Sequence, residues 1–264
     1  MKVGLLAGKG ELPLEFLKSA KEKDIRTITF SLEGITSPEV ERYSDKVIWI
    51  KPFKLGKFLR TLKKEEIREI AILGKVEHKN AISLSGFDLK ALTFIASLRD
   101  RKPETIIKGI ISEIENIGVR VIEPTKYLLH LFQEPGIICG ELTDKLKEDA
   151  EFGMKIAKEI ASLDIGQTVV VKDKTVIAVE GIEGTDKCIE RGAELAGKGF
   201  IVCKAARKNQ DMRVDVPTVG AKTIELIGKL KGRALIFEAN KTFLLNKEEA
   251  VRLSRKYGIT VIAV

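Results

Sequence analysis

Residues 2–31 read KVGLLAGKGELPLEFLKSAKEKDIRTITFS, and this run sets the expected fold. Lys2–Ala7 has the pattern of a buried strand, Gly8-Lys9-Gly10 makes a turn, and Leu12-Pro13 opens a helix running to about Lys23. Proline suits the first helical turn, where its missing N–H leaves no bond unmade. Arg26–Ser31 is the next strand. A strand, a glycine turn and a helix start present main-chain N–H groups and the positive end of a helix to an anion. Gly4, Gly8 and Gly10 match neither the dinucleotide fingerprint nor the Gly-Lys-Ser/Thr phosphate loop, so a plain tight turn explains the motif equally well.

The pattern continues outward. Lys46–Ile50 reads as a strand, Phe53–Leu62 as a helix and Glu69–Leu73 as a strand ending in Gly74-Lys75-Val76. Lys75 stands where open α/β sheets place ligand contacts, as a phosphate ligand or as a solvated lysine. Helices are expected over Leu89–Leu98 and Thr105–Ile117, a strand over Val119–Ile122 and a short helix over Pro124–Phe132. In the second helix Ile106, Ile107, Ile110, Ile111, Ile114 and Ile117 recur at helical spacing, as core or as a wall for lipid chains. Alternating strands and helices through residue 132 indicate an α/β fold with a doubly wound parallel sheet.

Gln133-Glu134-Pro135-Gly136 punctuates the chain as a boundary between domains. Thr143 then starts a helix to about Ser162 with Phe152, Ile156 and Ile160 on one side. Thr168–Lys172 and Val176–Val179, joined by Asp173-Lys174, read as a hairpin, which makes the second sheet mixed. Glu180-Gly181-Ile182-Glu183-Gly184 leads to Thr185, the expected N-cap of a helix over Asp186–Leu195. Glu180 and Glu183 either supply a metal and orient a water or belong to the turn.

Phe200–Lys204 is a strand leading into KAARKNQDMRVDVPTVG, residues 204–220. Were this segment extended, Asp211, Arg213 and Asp215 would share one face. Carboxylates beside an arginine suit a metal and phosphate site, and they suit a surface ion-pair turn. Pro217-Thr218 is expected to start the helix Ala221–Leu230. Ala234–Glu238 and Ile259–Val264 read as strands, Lys247–Tyr257 as a helix and Asn240 as a left-handed turn residue.

Composition narrows the function. Of 264 residues 44% are apolar and only 6% aromatic, so the core is built from aliphatic side chains. Charged residues reach 32%, rich in Lys and Glu, a balance seen in proteins from hot environments. The net charge of +8 is scattered among acids without interleaved aromatics, which argues against nucleic acid and for an anionic small molecule or membrane surface. Cys139, Cys188 and Cys203 fit neither a zinc motif nor a disulfide framework; buried thiols in a reducing compartment are expected, with Cys203 a thiol nucleophile by position only. His78 and His130 have no third ligand nearby and read as structural or surface residues. Residues 3–7 are too short for a signal h-region and no apolar run spans a membrane, so a soluble, cytoplasmic protein is expected, with peripheral contact at the inner membrane left open.

The motifs form an ordered set: GLLAGKGELP, GKV at 74–76, LDIGQTVVV at 163–171, AVEGIEGTDKCIERG at 178–192, QDMRVDVPTVG at 210–220 and EANKT at 238–242. Together they resemble the LpxI family, the UDP-2,3-diacylglucosamine pyrophosphatases of lipid A biosynthesis. The resemblance implies a Rossmann-like N-terminal domain over 1–132 and a C-terminal α/β domain over 137–264 carrying the acidic motif. It implies Mg²⁺-dependent hydrolysis of a lipid nucleotide-sugar to UMP and lipid X, a homodimer, and a Gram-negative-type source. Asp211 and Asp215 become the expected metal ligands or water activators, with Glu183 a third ligand, and Arg213 and Lys204 the phosphate contacts. Gly8, Lys9, Gly10 and Lys75, with Gly184, Thr185 and Asp186, are expected to hold the nucleotide. Gln210, Thr218 and Gly220, with Lys241, are expected to line the substrate. Two turns depart from the family pattern: Arg207-Lys208-Asn209 replaces Lys-Pro-Gly, and Asn240 replaces Gly. A nucleotide-sugar binding or transferring enzyme without hydrolysis, and a sensor of lipid X or nucleotides, are the competing readings; a dehydrogenase lacks its fingerprint.

Overall fold

The computed structural model describes residues 2–76, 86–100, 103–207 and 210–264. The chain divides into two compact units, Met1–Leu129 with Met212–Val214, and His130–Asp211 with Asp215–Val264.

The first unit holds β1 (Lys2–Ala7), β2 (Arg26–Leu32), β3 (Lys46–Ile50), β4 (Glu69–Leu73) and β5 (Arg120–Val121) in the order β3-β2-β1-β4-β5, all parallel. Parallel strands need crossovers, and helices α1 (Leu12–Glu22), α2 (Leu55–Lys64), α3 (Leu89–Ser97) and α4 (Pro103–Glu115) lie between them in sequence. Strand residues are covered on both faces. Val3, Leu5 and Ala7 are sealed from solvent on one side of the sheet, and Ile28 and Phe30 join Leu62, Ile70 and Ile114 in the core on the other. The isoleucines of α4 belong to that core.

Helix α2 begins later than its hydrophobic pattern suggests because Phe53 takes φ 68°, a left-handed conformation that cannot sit inside a helix. Its ring stacks on Phe87 at 4.6 Å. The expected helix over Pro124–Phe132 is two 3₁₀ turns, Pro124–Tyr127 and Leu129–Leu131, separated by fully buried Leu128. A further 3₁₀ turn, Pro38–Arg42, is capped by Ser37 and has no counterpart in the sequence reading.

The second unit is built on β6 (Gly136–Cys139), β7 (Thr168–Lys172), β8 (Thr175–Val179), β9 (Ile201–Lys204), β11 (Ala234–Phe237) and β13 (Thr260–Ala263), ordered β6-β13-β11-β9-β7-β8. Strands β9, β11 and β13 are parallel, and β6 and β7 flank them antiparallel. The β7–β8 hairpin turns on Asp173 and Lys174, both at positive φ, the twist that a tight two-residue hairpin requires. Helices α5 (Asp144–Ser162), α6 (Thr185–Ala196), α7 (Ala221–Lys229) and α8 (Lys247–Tyr257) complete it.

Gly136–Cys139 adds an edge strand beside β13 that the sequence reading does not name. Two expectations change here. The inward stripe of α5 is Leu146, Ala150, Met154, Ala157 and Ala161; Phe152, Ile156 and Ile160 only pack partly against that core. Thr218 is not helical: β10 (Thr218–Gly220) pairs in parallel with β12 (Phe243–Leu245) before α7 begins.

Candidate active site

Parallel sheets gather their loops at the carboxyl ends of the strands. In the second unit Lys204 ends β9, Glu238 follows β11 and Glu180 follows β8, while antiparallel β7 brings its first residue, Thr168, opposite Lys204. Four of the motifs singled out in the sequence therefore meet along one sheet edge: 163–171, 178–192, 210–220 and 238–242.

A chain of side-chain bonds orders this edge. The ammonium of Lys204 donates to Thr185 Oγ1 at 3.2 Å and to the Thr218 carbonyl at 3.1 Å. The Thr185 hydroxyl donates in turn to Glu180 Oε1 at 2.9 Å, and Glu180 Oε2 accepts the Gln167 amide at 3.2 Å. Gly166 is needed beneath: a Cβ there would stand 2.1 Å from the Glu180 carbonyl oxygen. Thr185 is the first residue of α6 and not its cap; Gly184, at φ 83°, precedes the helix. That places the Thr185 hydroxyl toward Lys204 instead of toward the helix N–H groups. Asp186 is exposed in the first turn, beside the positive helix end.

Glu238 is buried and organises the neighbouring loops. Its carboxylate accepts Lys241 Nζ at 2.8 Å and the Ala206 amide at 3.0 Å. Asn240 takes φ 56°, the left-handed turn expected of it. Gly220 lets the chain pass β12, where a Cβ would stand 2.9 Å from the Leu245 carbonyl oxygen.

Residues 211–215 form a turn and not an extended segment. The Asp215 amide donates to the Asp211 carbonyl at 3.0 Å, closing a turn over Met212–Val214. A turn of this kind replaces the two-residue alternation that would align Asp211, Arg213 and Asp215. Asp211 is half-buried and Asp215 exposed. Arg207 Nη1 lies 3.8 Å from Asp215 Oδ2, and its Nε lies 3.0 Å from Asp164 Oδ1. Gln210 closes on Arg207, accepting its amide at 3.0 Å; Lys208 and Asn209 lie outside the described residues. Within the first unit Arg213 pairs with Glu115 at 3.4 Å and Val214 packs into the core.

Glu183 is committed elsewhere. One oxygen accepts Arg191 Nη2 at 2.6 Å and the other the Gly181 amide at 3.0 Å. Arg191 first, then the local amides, hold its carboxyl below the usual range. Among the described residues no three His, Cys, Asp or Glu side chains gather as a ready metal cage. Magnesium does not demand one: it keeps waters and substrate phosphates and takes one or two carboxylates. Asp211 and Asp215, joined through one turn, fit that donor set, and Glu183 in its ion pair does not.

The thiols take no part. Cys203 is fully buried and its thiol is pushed far up by burial, and Cys188 is pushed up to about 12 by the same cause. His130 is exposed, and His78 lies outside the described residues.

The corner expected at Gly8, Lys9, Gly10 and Lys75 forms in the first unit, with a changed role for its amides. The Gly8 amide donates to the Leu73 carbonyl at 2.8 Å, and Lys9 and Lys75 exchange main-chain bonds at 2.9 and 2.8 Å. The amides at 8 and 9 therefore close the sheet edge and are not presented to an anion. Gly10 has φ 119°, open only to glycine.

Glu238 and Asp164 lie inside quoted motifs and Arg207 in a turn that departs from the family pattern, yet the sequence reading names none of them as a site residue. Only their position after a strand or turn would have drawn attention to them.

Comparison with known proteins places this arrangement. The chain is 26% identical over 275 aligned positions to the UDP-2,3-diacylglucosamine pyrophosphatase LpxI of Caulobacter vibrioides, covering 100% of this chain and 97% of that protein. Among solved structures, biotin carboxylase from Campylobacter jejuni matches 74% of this chain and 42% of its own length at 13% identity and a TM-score of 0.28. The biotin carboxylase subunit of a pyruvate carboxylase matches 87% and 41% at 14% identity and 0.29. This chain spans about two fifths of those two proteins, and scores so low carry no argument about fold or function. The LpxI N-terminal domain matches residues 2–131 and the LpxI C-terminal domain residues 134–262, so the chain belongs to the LpxI family.

Proposed function

We propose that this protein hydrolyses the pyrophosphate of UDP-2,3-diacylglucosamine to UMP and 2,3-diacylglucosamine 1-phosphate in lipid A synthesis. The observation that carries the reading is the sheet edge of the second unit, where Lys204, Glu180 and Glu238 stand together, with Asp211 and Asp215 on the loop that follows β9, in a member of this family. A full-length relative bears the same activity in its name.

Hydrolysis needs phosphate charge neutralised and a water aimed at phosphorus. Lys204, held by Thr185 and Thr218, supplies a fixed positive charge for phosphate oxygens. The water oxygen bonds to one phosphorus as the bridging P–O bond breaks. A proton of that water passes to the carboxylate of Asp211 or Asp215, and the bridging oxygen leaves with the departing phosphate. Mg²⁺ bound by Asp211 and Asp215 would stabilise phosphoryl charge and lower the pKa of water. A homodimer, a cytoplasmic site of action and contact with the inner membrane, where the lipid substrate resides, complete the proposal.

Release of UMP tests it. Asp211→Ala and Asp215→Ala are each expected to lower turnover at least about a hundredfold while the circular dichroism spectrum is retained. Chelation should stop the reaction and Mg²⁺ restore it. Full activity in both variants would remove the turn from the site, and tight substrate binding without UMP release in the unaltered protein would favour a nucleotide-sugar binding protein.

A further inference from the structure

Charge that reads as scattered along the sequence is gathered by one helix of the first unit. From Lys46 to Lys64 there is no acidic residue. Within that run α2 turns Leu55, Phe58, Leu59 and Leu62 into the core and leaves Lys57, Arg60, Lys63 and Lys64 exposed. Lys51 and Lys54 continue the basic face ahead of the helix. Elsewhere several bases pair with acids, as Lys18 with Glu15, Lys229 with Glu225 and Arg252 with Glu249. No carboxylate among the described residues lies within ion-pair distance of these six.

Helix α3 adds the apolar half. It carries no acid, and its outer face shows Leu89 and Leu92, 77% and 41% exposed. The two helices are tied at their starts by Asp88, whose carboxylate accepts the Ala91 amide at 2.9 Å and the Lys57 amide at 3.1 Å. A Cβ on Gly56 would stand 3.1 Å from Lys90 Cβ, so α2 and α3 touch there. Asp88 is thus spent on caps and Glu113 on Lys90, and exposed leucines share the corner with the unpaired cations of α2.

We infer that this corner of the first unit, the basic face of α2 with Leu89 and Leu92 of α3, docks on an anionic lipid bilayer. Cations draw the surface to acidic headgroups, and leucines at the same corner enter the headgroup boundary. Exposed leucines favour a bilayer over nucleic acid, which rewards aromatic stacking and hydrogen bonding to bases instead. The inference supplies a surface for the membrane contact proposed above and stands on that surface alone, not on the hydrolysis.

Co-sedimentation of the full chain with phosphatidylcholine vesicles, with and without phosphatidylglycerol, tests it. Binding is expected only to the anionic vesicles and is expected to fall steeply with salt. Lys57→Glu with Arg60→Glu should weaken partitioning at least about tenfold, and Leu89→Ser with Leu92→Ser should weaken it severalfold. Both pairs should release UMP from detergent-dispersed substrate at the unaltered rate, which shows that they fold. Lys229→Glu, on the second unit, should leave binding unchanged. Equal binding to uncharged vesicles, binding indifferent to both pairs, or tighter binding to an oligonucleotide than to anionic vesicles would overturn the inference.

Discussion

At the carboxyl edge of the first sheet, loops hold one another main chain to main chain: Gly8 to Leu73, and Lys9 with Lys75. At the carboxyl edge of the second sheet, side chains do this work: Glu180 on Thr185, Thr185 under Lys204, Glu238 on Lys241. The difference has a consequence. A main-chain lock needs glycines, because two backbones must pass where a Cβ cannot fit, and it puts no charge in place. A side-chain lock spends polar groups but holds a lysine and carboxylates in fixed positions. The first edge is held by backbone alone, the second by charged side chains.

Lys204→Met breaks the second edge where the comparison is strongest. The methylene stem is kept, so packing is preserved, while the fixed positive charge is lost. We expect kcat/KM for UMP release to fall between about a hundredfold and a thousandfold, roughly 3–4 kcal/mol of transition-state stabilisation, with little change in Tm. A protein that instead unfolds at lower temperature with activity intact would make this edge a scaffold too.

Gly74→Val breaks the first edge. Gly74 sits at φ 94°, and a Cβ there would stand 2.7 Å from the Gly8 carbonyl carbon. A β-branched residue adds backbone strain and overlap, for a loss of about 3 kcal/mol in unfolding free energy. Urea unfolding followed by circular dichroism measures it. The molecules that remain folded should keep the chemical step, in contrast to Lys204→Met.

These two residues also show what a sequence can reveal of such a protein. Strands and helices are legible where short aliphatic runs stop at glycine or an N-cap, as at Lys2–Ala7 and Asp144–Ser162. Pairing across long separations is not. Gly136–Cys139 shows no strand until Thr260–Ala263 lies beside it, and Thr218 looks helical until Phe243–Leu245 does. At the site, Lys204 and Thr185 are visible as strand-end and helix-start residues, and the structure sets them within hydrogen-bond distance. The Asp211–Asp215 spacing misleads because spacing four suits both an extended face and a helical turn, and the turn forms. Glu238 is silent because nothing local announces that its carboxylate will cap Ala206 from 32 residues away.

Glu180→Gln gives the smallest expected effect and the sharpest test of whether the second edge is a connected lock. Glu180 reaches Lys204 through Thr185, so its role is positioning. As a carboxylate it accepts from both the Thr185 hydroxyl and the Gln167 amide. An amide has one acceptor oxygen. If that oxygen serves Gln167, its NH₂ faces Thr185, whose hydroxyl loses its acceptor at 180 and must turn its hydrogen elsewhere, as toward Thr168 Oγ1 at 3.5 Å. If it serves Thr185, NH₂ faces the Gln167 amide, donor against donor. Either way the hold on Lys204 loosens, and kcat/KM should fall about tenfold, about 1.4 kcal/mol. The double variant decides the mechanism. With Lys204→Met already present, Glu180→Gln should cost almost nothing further, because the group it positions is gone. A further tenfold loss in the double variant would mean that Glu180 acts on its own, and that the edge is a set of separate contacts.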